Sequence, residues 1–226
     1  MPNTQGTPIV LQPTTETYEA FQYAYDHFGW TLFDAMLPGC LITLQRRPRS
    51  SGFFAPARFV RGDATRCDEI AMNPAHFQLH TDEFTLSILV HEMAHQWQEH
   101  FGTPGRGRYH NRQWADKMIA LGLHPSDTGA AEGRETGDRM AHYTVEGGPF
   151  EQAAKSLLDS GFSIPWRECL PKKQGTDGTP EEPGSPRDKG GQRVKYTCPV
   201  CGLNAWSRHD AGLTCTEHGV PMSAAK

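Results

Sequence analysis

Five consecutive residues in the middle of the chain, His91-Glu92-Met93-Ala94-His95, place two metal-ligand side chains four positions apart with a carboxylate beside the first. On a helix each residue advances by about 100°, so His91 and His95 lie roughly 40° apart, one turn from each other. Both imidazoles can then reach one metal ion. Glu92 falls about 60° beyond His95 and can stand beside the ion without binding it, which suits a base acting on water. With 11 His in 226 residues, chance placement yields this triplet in about one such chain in 30, so the motif needs support from its surroundings. The phasing supplies it. Leu86, Leu89, Val90, Met93 and Trp97 gather on the opposite side, giving the helix a core face and a site face, and Ile88 packs beside the site.

A catalytic zinc takes a third protein ligand and leaves its fourth position to water. The motif helix is expected to end near His100. The loop Gly102-Thr103-Pro104-Gly105-Arg106-Gly107 then reverses the chain and brings His110 back at the start of a second helix. His110 is the preferred third ligand. His100, His124, His142 and Glu99 are its rivals, although His100 and Glu99 point away from the metal face or lie too far along the helix. His124, before Pro125, reads as a turn residue. His142 and Tyr143 read as a structural pair, with an oxyanion-stabilising role as the alternative.

A second cluster closes the chain: Cys198-Pro-Val-Cys201, then 13 residues beginning with Gly202, then Cys215-Thr-Glu-His218-Gly219. C-x2-C followed by C-x2-H is a structural-zinc spacing, with Gly202 permitting the tight turn. Four protein ligands close that site, so no catalysis is expected there. His209 is a rival to His218 without the paired spacing. Trp206, Arg208 and His209 project from the middle of the module and could stack on a nucleic-acid base. Cys40, Cys67 and Cys169 stand alone, which argues for metal chemistry with free thiols in a reducing cytoplasm, not for a disulfide framework.

The elements that must position these groups follow from periodicity. A helix is expected from about Thr14, capped by Thr14 or Thr15, with Tyr18, Phe21, Tyr25, Phe28, Leu32 and Met36 as its stripe and Leu37-Pro38-Gly39 as its end. Residues 40–45, 53–60 and 68–73 read as short strands in antiparallel order, with Pro56 marking the second as an edge or a bulge. Helices follow over about 81–100, 111–121 and 149–160, with residues 123–142 irregular. Residues 1–13 read as a frayed tail. Residues 171–195, with four prolines and five glycines, read as a linker. The domain reading is therefore 14–170, linker 171–195, and zinc module 196–222.

Composition bounds the rest. Hydrophobic residues are 37% and charged residues 21%. No apolar run approaches the roughly 20 residues that cross a bilayer, and the start lacks a secretory signal's basic and apolar regions. A membrane protein, a secreted precursor and a collagen-like fibre are disfavoured. Residues 1–170 carry a net charge of −6 and residues 171–226 of +2, which is not the strongly basic footprint of a dedicated nucleic-acid binder.

Taken together, His91-Glu-Met-Ala-His95, the glycine-containing loop and Tyr109-His110-Asn-Arg-Gln-Trp114 resemble the SprT-like domain family of bacterial SprT-type and eukaryotic Spartan-type proteins. Trp30-x-x-Phe33, Gly52-Phe53 and Glu69-Ile70-x-Met72-Asn73-Pro74 upstream also match. Thr136-Gly137-x-x-Met140-x-His142-Tyr143 fits the bacterial branch. The resemblance covers about residues 17–160. It implies an α+β, zincin-like metalloprotease fold, helices on a small antiparallel sheet, with a C-terminal zinc ribbon. It also implies one catalytic Zn2+ on His91, His95 and His110 and Glu92 as general base, to which the cysteine spacing adds one structural Zn2+ on Cys198, Cys201, Cys215 and His218. The partner it implies is a protein or peptide substrate. Eukaryotic relatives cleave proteins crosslinked to DNA, so DNA-associated substrates and DNA contact through the ribbon are part of the expectation. The alternative is a zinc-binding regulatory or transcription-associated protein without proteolysis. The intact Glu92 favours the enzyme.

Overall fold

The first helix, α1 (Pro13–Leu32), begins one residue earlier than the expected cap, because Pro13 fits the first helical position, where no N–H is needed. Gln12 stands at the cap without a side-chain bond, in place of Thr14 or Thr15. Its buried face is Thr17, Phe21, Ala24, Tyr25, Phe28 and Gly29. The outer members of the expected stripe, Tyr18 and Met36, are exposed. The helix stops before Met36 because Asp34 and Ala35 take left-handed backbone angles and the Ala35 N–H turns back to Gly29 O at 2.8 Å.

The computed structural model describes residues 11–48, 50–107, 109–169, 194–207 and 211–224. The chain divides into two compact units, Met1–Pro171 and Lys172–Lys226. Among the described residues the architecture is mixed α+β, with four α-helices and three small sheets.

In the larger unit, β1 (Cys40–Leu44), β2 (Gly52–Val60) and β3 (Arg66–Met72) form a sheet of order β1-β3-β2. β2 and β3 are antiparallel, but β1 runs parallel to β3, which corrects the all-antiparallel expectation. The reason is burial. Asp68 to Met72 of β3 is buried residue after residue, and such a strand belongs in the centre, so β3 displaces the shorter β1–β2 hairpin. β2 is left as an edge. Its register slips between Ala55 and Phe59, with Pro56 and the positive-φ Ala57 in the bulge.

A short 3-10 turn (Pro74–His76) leads to α2 (Asp82–Phe101), which packs on β2 and β3. Thr81 caps it, accepting the Phe84 N–H at 3.2 Å, and Asp82 and Glu83 complement the dipole of its first turn. α3 (Arg112–Ala120) is stopped by Gly122 at φ +81°. The stretch expected to be irregular contains a two-stranded antiparallel sheet, β4 (Leu123–Ser126) with β5 (Ala141–Thr144). Four-residue strands, one holding Pro125, are too short to show a period of two. α4 (Pro149–Asp159) completes the unit. One apolar core joins Phe21 and Phe28, Ile70 and Met72, Leu89 and Met93, Trp114, Phe150 and Leu157.

In the smaller unit, β6 (Val194–Thr197), β7 (Asn204–Ser207) and β8 (Ser223–Ala224) form an antiparallel sheet of order β7-β6-β8. β6 takes up Val194 and Lys195, which the sequence assigns to the linker. The rest of that linker, most of the N-terminal tail, and Arg208 and His209 lie outside the described residues. No helix among the described residues is long and apolar enough to cross a membrane.

Candidate metal centres

The larger unit builds its site on the middle of α2. Leu86, Leu89, Val90 and Met93 are fully buried on the core face, which fixes the rotation of the helix and turns His91 and His95 to the other side. The return of the chain is held by a polar clasp. Asn111 caps α3 by accepting the Trp114 N–H at 3.1 Å, and it also accepts from Gln98 of α2 at 2.7 Å. Its own amide donates to Thr103 O at 2.9 Å, while the Thr103 N–H donates to Gln113 at 2.6 Å. His110, one residue before this cap, is pinned by a bridge to Gly137, with His110 N–H to Gly137 O at 2.8 Å.

As a result, His91, His95 and His110 each bring one ring nitrogen within 4.8 Å of the others. The rival ligands are elsewhere. His100 pairs with Asp68 at 2.7 Å, and His124, a strand residue and not a turn residue, bonds Glu135 at 2.9 Å and stacks on Tyr143. His142 does reach the cluster: its Nδ1 lies 3.2 Å from His91 Nδ1 and its Nε2 lies 2.8 Å from Ser87 Oγ. Glu99 lines the same cleft without joining the three imidazoles.

Glu92 lies against β2. It accepts the Phe54 backbone N–H, and Gly52 gives it room, since a Cβ on Gly52 would sit 3.1 Å from Glu92 Oε1. The three imidazoles and Glu92 all line a cleft of about 1290 Å³, with β2 along one wall and Arg47, Arg58 and Arg139 among its lining.

The electrostatics follow from burial. It holds His91 well below the usual imidazole range, with His95, His142 and His110 adding to the effect, and it lowers His95 to about 3 and His142 to about 4. It pushes the Glu92 carboxyl up to about 8, partly offset by the Phe54 N–H. These imidazoles are therefore neutral at pH 7 and offer lone pairs, which is the state that metal binding requires. His110 Nδ1 lies 3.0 Å from Gly137 O, so Nδ1 carries the hydrogen and Nε2 keeps the lone pair that could bind a cation. The donor set fits a divalent cation of zinc's type.

Trp114 was not singled out for a role by its sequence position. It is fully buried, and its ring centroid lies 4.9 Å from that of His91, 5.2 Å from His95 and 4.4 Å from His110. One indole thus underlies all three imidazoles. Its Nε1 is the single buried side-chain nitrogen or oxygen among the described residues without a hydrogen-bond partner, which costs about 1–3 kcal/mol. Packing on the imidazoles outweighs that bond. A signal was present in the Tyr109-to-Trp114 segment, but only as part of a resemblance.

A family model described as SprT-like family matches residues 19–130. A Salmonella typhimurium protein described as "Uncharacterized protein in mucB 3'region" is 51% identical over 59 residues, covering 26% of this chain and 80% of that protein. The chain belongs to the SprT-like family. No solved structure matches this SprT-like chain.

The smaller unit of the SprT-like protein holds the second cluster. Cys198, Cys201, Cys215 and His218 bring their ligand atoms within 4.8 Å of one another. Two matching turns make it. Gly202 N–H reaches Cys198 O at 3.0 Å and Gly219 N–H reaches Cys215 O at 2.8 Å, both glycines at positive φ. Cys198, Cys215 and Tyr196 are buried, and Trp206 is exposed.

Proposed function

We propose that this SprT-like protein is a zinc-dependent metallopeptidase with a zincin-like catalytic unit, residues 14–170, and a zinc ribbon, residues 196–222. The observation that carries the reading is the meeting of three imidazoles with Glu92 in one cleft. His91, His95 and His110 would hold a catalytic zinc; Cys198, Cys201, Cys215 and His218 would hold a structural one. Bound at the three imidazoles, zinc would supply Lewis acidity toward a water and a peptide carbonyl. Glu92 takes the proton of the attacking water and delivers it to the leaving amine. A cation close by would bring its raised pKa back down, so that it is ionised when a base is needed. The free edge of β2 pairs with an extended peptide and draws the scissile bond across the cleft.

The test is hydrolysis of an unstructured protein substrate by the wild type and by Glu92→Gln, with zinc content measured in both. Loss of turnover at unchanged zinc supports the assignment; equal turnover removes Glu92 from its role. Running the assay with and without DNA separates a DNA-directed peptidase from a general one. Absence of turnover under both conditions favours the regulatory alternative.

A further inference from the structure

We propose that His142 is a positioning residue of the metal centre, fixing the tautomer and ring orientation of His91 through a hydrogen-bond chain that starts at the α2 backbone. The proposal rests on the reading of His91 as a zinc ligand, and it assigns a role to a residue that is not itself one of the three ligands.

The chain can be directed from its far end. Ser87 Oγ lies 2.8 Å from Phe84 O. A carbonyl oxygen only accepts, so the Ser87 hydroxyl hydrogen is committed there. Ser87 Oγ, 2.8 Å from His142 Nε2, must then accept, and His142 Nε2 carries the hydrogen. His142 is buried, and a neutral imidazole has one donor and one acceptor. Its Nδ1 is therefore the acceptor for His91 Nδ1, 3.2 Å away. His91 is left with its hydrogen on Nδ1 and its lone pair on Nε2.

Three bonds thus set which nitrogen of His91 meets the metal. His110 obtains the same result from Gly137 O. Two ligands, on different elements, are held with Nδ1–H occupied and Nε2 available to one ion. Ser87 sits one turn before His91 on α2, so the helix carries both the ligand and the far end of the chain that orients it. β5, whose first two residues the sequence reads as irregular, supplies the link between them. His142 lies outside the group whose nitrogens converge within 4.8 Å, so it serves from behind His91 and not as a fourth ligand.

The experiment uses the full chain loaded with Co2+ and titrated with a competing chelator. Thiolate-to-cobalt charge-transfer absorption reports the cysteine site, and ligand-field bands without it report the imidazole site. His142→Ala should weaken the imidazole site by about 10- to 100-fold while the cysteine site stays constant. His142→Gln should hold affinity within about threefold, because its amide oxygen accepts from His91 and its amide N–H donates to Ser87. Ser87→Ala should show a smaller loss in the same direction. Unfolding of the metal-free variants is measured alongside, and His142→Gln keeps the proposal open to refutation should His142→Ala not fold. Equal affinity in His142→Ala, or a loss in His142→Gln as large as in His142→Ala, overturns it. So does a ligand-field spectrum showing one nitrogen fewer in His142→Gln, which would make His142 a ligand. A wild type that binds no cobalt at the imidazoles refutes the zinc-centre reading itself, and that outcome differs from all of these.

Discussion

The two ligand clusters both bring their ligand atoms within 4.8 Å of one another, by opposite routes. The imidazole cluster is held by a core that exists without it: α2 is rotated by Leu86, Leu89 and Met93, α3 is clasped through Asn111, and Trp114 underlies all three rings. Among the described residues the cysteine cluster is held by two glycine turns and a short three-stranded sheet, with only Tyr196, Cys198 and Cys215 buried. A unit that small cannot offset its chain entropy by apolar burial and relies on a metal staple. The contrast implies that the first site would be prepared before an ion arrives, whereas an ion would have to make the second. Only a prepared site can leave a coordination position to water and set a base such as Glu92 beside it.

The largest expected effect is therefore on the smaller unit. Removing metal with a strong chelator should unfold residues 194–224 and leave the larger unit's helical circular dichroism intact. Structural zinc contributes about 10–16 kcal/mol in comparable small modules. Cys198→Ser should produce the same loss in the presence of zinc. A smaller unit that stays folded without metal would erase the contrast. Glu92→Gln comes next, with a loss of about 10²- to 10⁴-fold in kcat at unchanged zinc content.

Trp114→Ala should destabilise the metal-free larger unit by about 3–5 kcal/mol in urea unfolding, because it empties the space beneath three imidazoles. If the site depended on the ion for its shape, as the cysteine site does, the metal-free protein would hardly respond. Gly52→Ala is a finer probe of the same preparation. Its Cβ would lie 3.1 Å from Ala71 O, Glu92 Oε1 and Ile88 Cγ2, so Glu92, Ile88 and the Ala71 carbonyl must each give by a few tenths of an ångström. Gly52 has no positive φ, so the backbone itself accepts alanine. The expected outcome is about a tenfold fall in kcat with stability changed by less than about 1 kcal/mol. A large stability loss instead would show that the residue serves the sheet and not the base.

The motif helix was legible because its two requirements, a buried stripe and a ligand pair, share one period of 3.6. His110 was legible because a glycine loop of that length returns the chain to its start. What could not be read depends on pairing across space. The parallel β1–β3 contact follows from which strand is most buried, and strand burial on both faces leaves no alternation to see. β4 and β5 are four residues each and are found only by the bonds between them. Trp114 and His142 take their importance from residues 23 and 51 positions away from His91, beyond the reach of any local pattern.

The smallest expected effect lies on the opposite side of α2, where Asp68 is the hub of a polar network. Burial raises its pKa, but the Ala57 N–H at 2.8 Å, His100 at 2.7 Å and Gln96 at 3.2 Å outweigh burial and hold the carboxyl below its usual value. A carboxyl depressed in the folded state stabilises the fold above its unfolded value, near 3.8, and that stability is lost as pH falls through the folded value. The metal-free imidazole cluster titrates with its own sign. His91, His95 and His142 are lowered from 6.5, so the unfolded chain binds those protons first and stability begins to fall below about pH 6.5. Only the imidazoles act between pH 6.5 and 5; below pH 4 both contribute, because His95, lowered to about 3, still titrates there. Asp68→Asn should leave the slope between pH 6.5 and 5 unchanged, cost about 1–2 kcal/mol at neutral pH, and reduce the slope below pH 4 without abolishing it. Urea unfolding of the metal-free wild type and Asp68→Asn from pH 7 to 3 measures both. A variant that alters the upper window instead would show that the rear network and the imidazole face are coupled through α2, and the site would then be less independently prepared than the comparison holds.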